Sequence, residues 1–328
     1  MGAQMRVYRR RIKSVQQTKK ITKAMELIAS SRIVKAQRHL AAALPYTREL
    51  VLAISAAVSM SAESDHPLIS QRDNRKRAAV LLIGSDRGLA GAYSSNIIRE
   101  GEGLNAYLRE QGIEPVHFLV GRKVVNFYKF RERYVEGEYV GFTDQPTVED
   151  AKDVALGLLA SFLSDSDTEG GTDEIHIIYT HFVNMGRQEV RIRRILPIEV
   201  VEEVLVAGGQ TELHPARDSD GAQAAAAVAA SAMPLYEFEP DADTVLDELL
   251  PRYVENLVYT ALLEAAASEH AARRRAMKSA TDNAEELIKS LTQQANQARQ
   301  TEITQEISEI VGGADALSSA NAGSGGST

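Results

Sequence analysis

The sequence predicts an α+α/β fold: one long helix at each end of the chain, with an α/β unit inserted between them. Three observations carry this. Two terminal stretches run for dozens of residues almost without proline or glycine. The segment between them alternates short apolar runs with helical periodicity. Both terminal stretches repeat apolar residues at helix-seam spacing, and two seams are satisfied most economically by winding around each other as an antiparallel coiled coil.

The N-terminal helix is expected over residues 1–62. From Ala3 to Ser61 the only proline is Pro45 and glycine is absent. Ile12, Val15, Ile21, Met25 and Ile28 recur at steps of three to six, followed by Ala36, Leu40, Ala43, Leu50 and Ile54. At 1.5 Å per residue such a helix is roughly 80 Å long, with a bend expected at Pro45, whose ring clashes with the preceding turn. A polar stretch, SDHPLISQRDNRKR, then leaves the helix as a loop.

The insert is expected over residues 78–205. Ala79 to Ile83 is a continuous apolar run, as in a buried parallel strand. Gly84, Gly88 and Gly91 mark a turn, and a helix follows from Ser95. Val116 to Val120 is strand-like, Arg122 to Phe130 and Val148 to Leu163 are helical, and Ile175 to Phe182 and Val190 to Ile198 have β character. Strands alternating with helices imply a largely parallel sheet. The acidic run SDSDTEGGTDE, Ser164 to Glu174, interrupts the plan as an exposed, mobile loop. Residues 206–240 are read as a loop and connector.

The C-terminal helix is expected over 241–317. From Arg252 to Val311 there is neither proline nor glycine, a length of roughly 90 Å as helix. Apolar positions include Ala284, Leu287, Leu291 and Ala298. Ile303, Ile307, Ile310, Ala314 and Leu317 then alternate steps of four and three, a coiled-coil seam. Residues 318–328, rich in Ser, Gly, Ala and Asn, are expected to be a disordered tail.

Composition narrows the chemistry. The 328 residues contain no cysteine, which excludes disulfides and thiolate-bound zinc. The basic start lacks the apolar core of a secretory signal. No stretch of ~20 apolar residues suggests a membrane span. Net charge is −8, yet Arg6 to Arg38 holds eleven Lys or Arg and one acid, Glu26. The dense run Arg9, Arg10, Arg11, Lys13, Lys19, Lys20 and Lys23 is compatible with a solvated helix face, with nucleic acid binding, or with docking to an acidic protein. Charge alone does not choose among them.

Motifs for small-molecule chemistry are weak. In GSDRGLAG the third position of a dinucleotide fingerprint is Asp86 rather than glycine, and the Lys-Ser/Thr of a phosphate loop is missing, so a structural turn is the better reading. The seven histidines lack HxxxH or HExxH spacing; His176 and His181, five apart on a strand, point to opposite faces. No serine nucleophile elbow is present.

MELIASSRIVKAQ (Met25 to Gln37), SDRGLAG, LDELLPRYVE (Leu246 to Glu255), MKSATDNAEELIKSL (Met277 to Leu291) and above all ARQTEITQEISEIVGGADAL (Ala298 to Leu317) give the chain a close resemblance to F-type ATP synthase gamma subunits. The resemblance spans nearly the whole chain. It implies an antiparallel coiled coil with an inserted Rossmann-like α/β domain, acting as the rotor shaft inside a ring of three alpha and three beta subunits. The foot would bind epsilon and the ring of c subunits, so membrane contact is indirect. The implied location is peripheral, on the cytoplasmic face of the bacterial plasma membrane.

The resemblance also implies a role for particular residues. Met25 matches the family's N-terminal methionine facing beta, Arg299 and Gln300 match the polar pair that grips a beta loop, and Thr304 and Glu306 lie in the same contact region. Arg9, Arg10, Lys19 and Lys20 of the basic helix would meet acidic segments of beta, which removes nucleic acid as a partner. ATP would be made on beta, in a proton-translocating complex, so this chain would carry no catalytic residue and no cofactor or metal. Ala90 stands where many relatives have Cys, and a redox insert of the plant-chloroplast kind cannot operate without Cys. The 164–174 loop, with Asp165, Asp167, Glu169 and Asp173, looks like an extra insertion of actinobacterial type. Two readings stay open for it: a tolerated surface loop, or a foot element that touches the c ring or epsilon and restrains hydrolysis.

Overall fold

The computed structural model describes residues 3–60, 66–69, 72, 75–164, 168, 170–198, 238–239 and 241–323. Of the 206–240 connector expected from the sequence, residues 206–237 and 240 lie outside these, as do Asp165, Asp167 and Glu169. Among the described residues the elements are α1 (Ala3–Met60), β1 (Arg77–Ile83), α2 (Tyr93–Glu110), β2 (Glu114–Val120), α3 (Arg122–Phe130), β3 (Gly137–Tyr139), α4 (Val148–Leu163), β4 (Glu174–Phe182), β5 (Gln188–Leu196) and α5 (Ala242–Gly323). The chain divides into two units: residues 1–29 with 274–328, and residues 30–273.

In the larger unit the five strands form one sheet in the order β3-β2-β1-β4-β5. β3, β2, β1 and β4 run parallel, and β5 joins antiparallel to β4 through a hairpin. Alternation along each strand sorts the core into two faces. Ala79, Leu81 and Ile83 point into one cluster with Val116, Phe118, Ile175 and Ile177, which packs on α4 (Val154, Leu158, Phe162), α1 (Leu50, Ile54, Ala57) and α5 (Leu250, Val254, Val258, Leu262). Ala78, Val80 and Leu82 point the other way, onto α2 (Ile97, Leu104, Leu108) and α3 (Val124, Val125, Tyr128). Helices cover both faces because near-continuous apolar strands must be buried on both sides. Gly101 lets α2 approach closely: a Cβ there would lie 2.5 Å from the Leu82 side chain.

Helix α1 contains one stretch long and apolar enough to cross a membrane by length and composition, contrary to the sequence reading. At the C-terminal end of this helix Leu50, Ile54, Ala56 and Ala57 are buried, and 22% of the apolar stretch is buried in all. Pro45 and Pro251 lie inside the continuous spans of α1 and α5. Near Pro45, Thr47 Oγ1 donates to the Ala43 carbonyl at 3.1 Å and accepts from Asn256 Nδ2 at 2.9 Å. This ties α1 to α5 where proline removes a backbone donor.

Helix α5 runs to Gly323, past the boundary at Leu317 read from the sequence. Ser, Ala and Asn each cost a growing helix only a fraction of a kcal/mol, roughly 0–0.7, so nothing between Leu317 and Ala322 stops its propagation.

Candidate functional site

In the smaller unit, α1 and α5 run antiparallel. Thr22 and Thr281 hydroxyls hydrogen-bond at 2.7 Å, and Lys19 Nζ lies 3.0 Å from Glu285 Oε2. The less exposed residues of α1 include Met5, Tyr8, Ile12, Val15, Lys19, Thr22, Glu26 and Ala29. On α5 they include Arg274, Met277, Thr281, Ala284, Ile288, Leu291, Ala295, Ala298 and Glu302. Each of these series steps by three and four, the spacing that keeps one stripe of each helix facing the other, and the half-buried Met25, Ala276, Ala280 and Ser290 flank the stripes.

This seam corrects the one read from the sequence. Ile21 and Ile28 are 61% and 54% exposed, and Leu287 is 48% exposed. The facing stripes carry the Thr22–Thr281 and Lys19–Glu285 pairs together with buried Ala29, Met277, Ala284 and Leu291, and Ile21, Ile28 and Leu287 lie on the outer side with Leu27. The distal seam is corrected as well: Ile303, Ile307 and Ile310 are 45%, 55% and 72% exposed. Continuing the Thr22–Thr281 register sets Ala3, the first described residue of α1, opposite Gln300. Among the described residues no turn of α1 faces α5 beyond that point, and Ile303, Ile307 and Ile310 lie there.

The expected contact residues fall on these surfaces. Arg9, Arg10 and Lys20 are exposed on α1, Lys19 is ion-paired, and Met25 is half-buried next to the seam. Arg299, Gln300, Thr304 and Glu306 are exposed on α5 around the point where the facing helix ends. Thr304 Oγ1 donates to the Gln300 carbonyl at 2.9 Å.

Asp173, expected in the exposed acidic loop, is instead buried, with its side chain 1% exposed. Its carboxylate pairs with Arg72 at 3.0 Å and accepts from the backbone N–H of Lys76 at 2.7 Å and of Arg77 at 3.0 Å. Thr172 and Glu174 beside it are buried too. A carboxylate with this many donors caps the start of β1 and cannot belong to a mobile loop.

The glycine turn after β1 is a structural joint. Asp86 accepts from the backbone N–H of Arg122 (3.1 Å), Gly141 (2.8 Å) and Thr143 (3.1 Å), while its own N–H donates to Thr143 Oγ1 at 2.9 Å. Gly121, at φ +95°, permits this approach, since a Cβ there would fall 2.9 Å from Ser85 backbone atoms. The crevice beyond the C-terminal ends of β1 and β4, the usual ligand position in open α/β sheets, is covered by α5. Tyr93 Oη donates to the Ala265 carbonyl at 3.0 Å and Ser268 Oγ to the Thr180 carbonyl at 2.9 Å; burial pushes the Tyr93 hydroxyl pKa up.

Beside this joint lies a charge cluster invisible in the sequence. Asp144 Oδ2 lies 2.7 Å from Arg32 of α1 and 3.0 Å from Arg87 of the glycine turn. Its Oδ1 lies 3.9 Å from Arg273 of α5. Arg273 also pairs with Glu269 and reaches the carbonyls of Gly88 and Arg87 at 3.4 Å. His270 Nε2 donates to the Asp144 carbonyl at 3.0 Å. Burial works against ionising Asp144, but the Arg32 hydrogen bond and the Arg87 and Arg273 charges outweigh it and hold its pKa low. Burial pushes Glu269 up to about 7 against the pull of Arg273, and pulls His270 down to about 4. Three residues after Asp144, Thr147 opens α4 in a capping box with Asp150. Among the described residues no group of three or more His, Asp or Glu is arranged to hold a metal ion.

Residues 4–317 match the ATP synthase family. The chain is 58% identical over 319 residues to an ATP synthase gamma chain of Kineococcus radiotolerans, covering 97% of this chain and 98% of that one. It is 55% identical over 324 residues to that of Thermobifida fusca, covering 99% and 100%. Among solved structures it resembles a chain of the Euglena gracilis mitochondrial ATP synthase (OSCP/F1/c-ring) with TM-score 0.60 at 18% identity, covering 98% and 97%. It also resembles one in the Tetrahymena thermophila mitochondrial central stalk and c ring with TM-score 0.53 at 22% identity, covering 79% and 99%.

Proposed function

The chain belongs to the ATP synthase gamma family, and from that premise we propose that it is the central rotor shaft of an F-type ATP synthase, coupling ion-driven rotation of a c ring to ATP synthesis on the beta subunits. The observation that carries the reading is the antiparallel pair of helices with a continuous three-and-four seam, which is read as a coiled coil. A shaft transmits torque only if it is stiff, and helix with neither glycine nor proline from Arg252 to Val311 supplies that. It must also be asymmetric, so that each orientation favours a different beta conformation. Only differential contact can shift such an equilibrium. The exposed surface is asymmetric in this sense: Arg9, Arg10 and Lys20 are basic, Ile21, Leu27 and Ile28 are apolar, and the overhang of α5 carries Ile303, Ile307 and Ile310.

The insert is read as a Rossmann-like foot. Its 3-2-1-4 parallel order is that of a doubly wound sheet, and its ligand crevice is covered by α5, in keeping with a chain that has no catalytic or cofactor residues of its own. The foot would take epsilon and the c ring as partners, placing the chain peripherally at the cytoplasmic face of the bacterial membrane. Arg299 and Gln300, with Thr304 and Glu306, would grip beta, and Met25, Arg9, Arg10, Lys19 and Lys20 would face the same ring. Few of these contacts should be strong, because tight binding at one angle stalls rotation. Co-expression with the host's alpha and beta subunits tests the reading. One copy of this chain per three alpha and three beta, in a complex that hydrolyses ATP, is expected; a chain left out of an otherwise intact alpha–beta assembly would refute it.

A further inference from the structure

Torque that enters a shaft at its foot must cross from the insert to the helices, and this crossing has a specific chemistry. The packing of α1 and α5 on the sheet is apolar. Apolar burial is non-directional, so it resists separation more than sliding. Resistance to sliding needs groups with fixed geometry. Asp144 provides them, since it lies in the insert, just before α4: its carboxylate receives Arg32 from α1 at 2.7 Å, its backbone carbonyl receives His270 Nε2 from α5 at 3.0 Å, and the Arg273 charge of α5 stands 3.9 Å from its Oδ1. Arg32 and Arg273 stand within three residues of the points where α1 and α5 leave this unit. Its third guanidinium, Arg87, is contributed by the insert itself.

We propose that Asp144 is a positioning residue that fixes the angle of the insert on the two shaft helices, so that rotation of the foot is delivered without slip. The Arg32 pair suits the task because it is only part-buried: the Asp144 side chain is 13% exposed and that of Arg32 29% exposed. Neither bears the full desolvation cost of a deep pair. Arg32 and Arg273 approach one carboxylate from two helices, so turning the insert relative to α1 and α5 would lengthen at least one pair. Arg87 holds the carboxylate from within the insert and does not cross the joint. The inference rests on the rotor reading.

The experiment uses whole ATP synthase in inverted membrane vesicles, with ATP hydrolysis and ATP-driven proton pumping measured on the same sample and the content of this chain quantified. Unmodified complex that hydrolyses ATP without pumping would count against the rotor reading itself. Given coupled wild-type vesicles, D144N and R32Q are expected to lower protons pumped per ATP about threefold, the scale of losing one part-buried ion pair. D144E is expected to restore the ratio, and R87Q, which removes a pair inside the insert, to leave it unchanged. A wild-type ratio in R32Q, or an equal loss in R87Q, overturns the proposal. If D144N fails to assemble, R32Q against R87Q decides alone.

Discussion

At Glu269 the buried carboxyl has little solvent, so its pKa rises to about 7 although Arg273 is its partner. Its pKa in the unfolded chain is near the ordinary carboxyl value of 4.5. A carboxyl raised on folding adds stability below the unfolded value and loses it as pH climbs through the folded one. Thr143, Asp144 and Arg273 face it. The neighbouring His270 titrates with the opposite sense, since its depressed pKa favours folding above 6.5, but it is common to wild type and variant. Urea unfolding of E269Q beside wild type is therefore expected to show the variant gaining relative stability from pH 5 to pH 8, on the order of a few kcal/mol; a constant difference would mean that Glu269 stays ionised throughout. Asp173 obeys the other rule: D173A leaves Arg72 and two backbone donors without their acceptor and is expected to cost about 3 kcal/mol in the same measurement, whereas a residue of an exposed loop would cost about 0.5 kcal/mol or less. Neither residue could be placed from the sequence. Asp173 sits in a run whose acidity reads as exposure, and Asp144, Glu269 and Arg273 reveal nothing until the chain brings them together; of that cluster only Arg32 and Arg87 lie in motifs the sequence singles out.

Elements were legible in proportion to how much they owe to local pattern. Helices over Arg122–Phe130 and Val148–Leu163 follow from periodicity, and both end where the sequence reading ends them. Strand β3 was missed because Gly137–Tyr139 has three residues and no apolar run; it exists only by pairing with β2. The helix seam was half legible. Ile12, Val15, Ala284 and Leu291 belong to it, but Ile21, Ile28 and Leu287 do not, because the facing stripe also takes polar positions such as Thr22 and Thr281 that an apolar pattern does not mark. The two seams make different predictions for single truncations. L291A, at a position 6% exposed, is expected to cost ~2–5 kcal/mol, and L287A about 0.5 kcal/mol or less. Thermal unfolding of the two variants orders them; equal losses would restore the seam read from the sequence.

On the scale of the whole molecule, the family signature lies where the fold supplies least. Apart from Glu302, the run from Arg299 to Ala314 is exposed. Residues there do little for the stability of the chain, so their chemistry is free to serve a partner. If Arg299 grips beta at one angle of rotation, R299A removes a charge-assisted hydrogen bond of about 1.5–3 kcal/mol from one stage of the cycle. Turnover of the assembled complex is then expected to fall about tenfold, while the unfolding midpoint of the chain does not move. The apolar overhang should behave differently. Ile303, Ile307 and Ile310 offer no directional bond, so replacing all three by Ser should weaken assembly with alpha and beta more than it slows the complexes that do form. Measuring chain content and turnover per complex for the two variants separates a grip from a bearing. A fall in assembly for R299A with normal turnover per complex would assign Arg299 to holding the shaft in place rather than to driving the cycle.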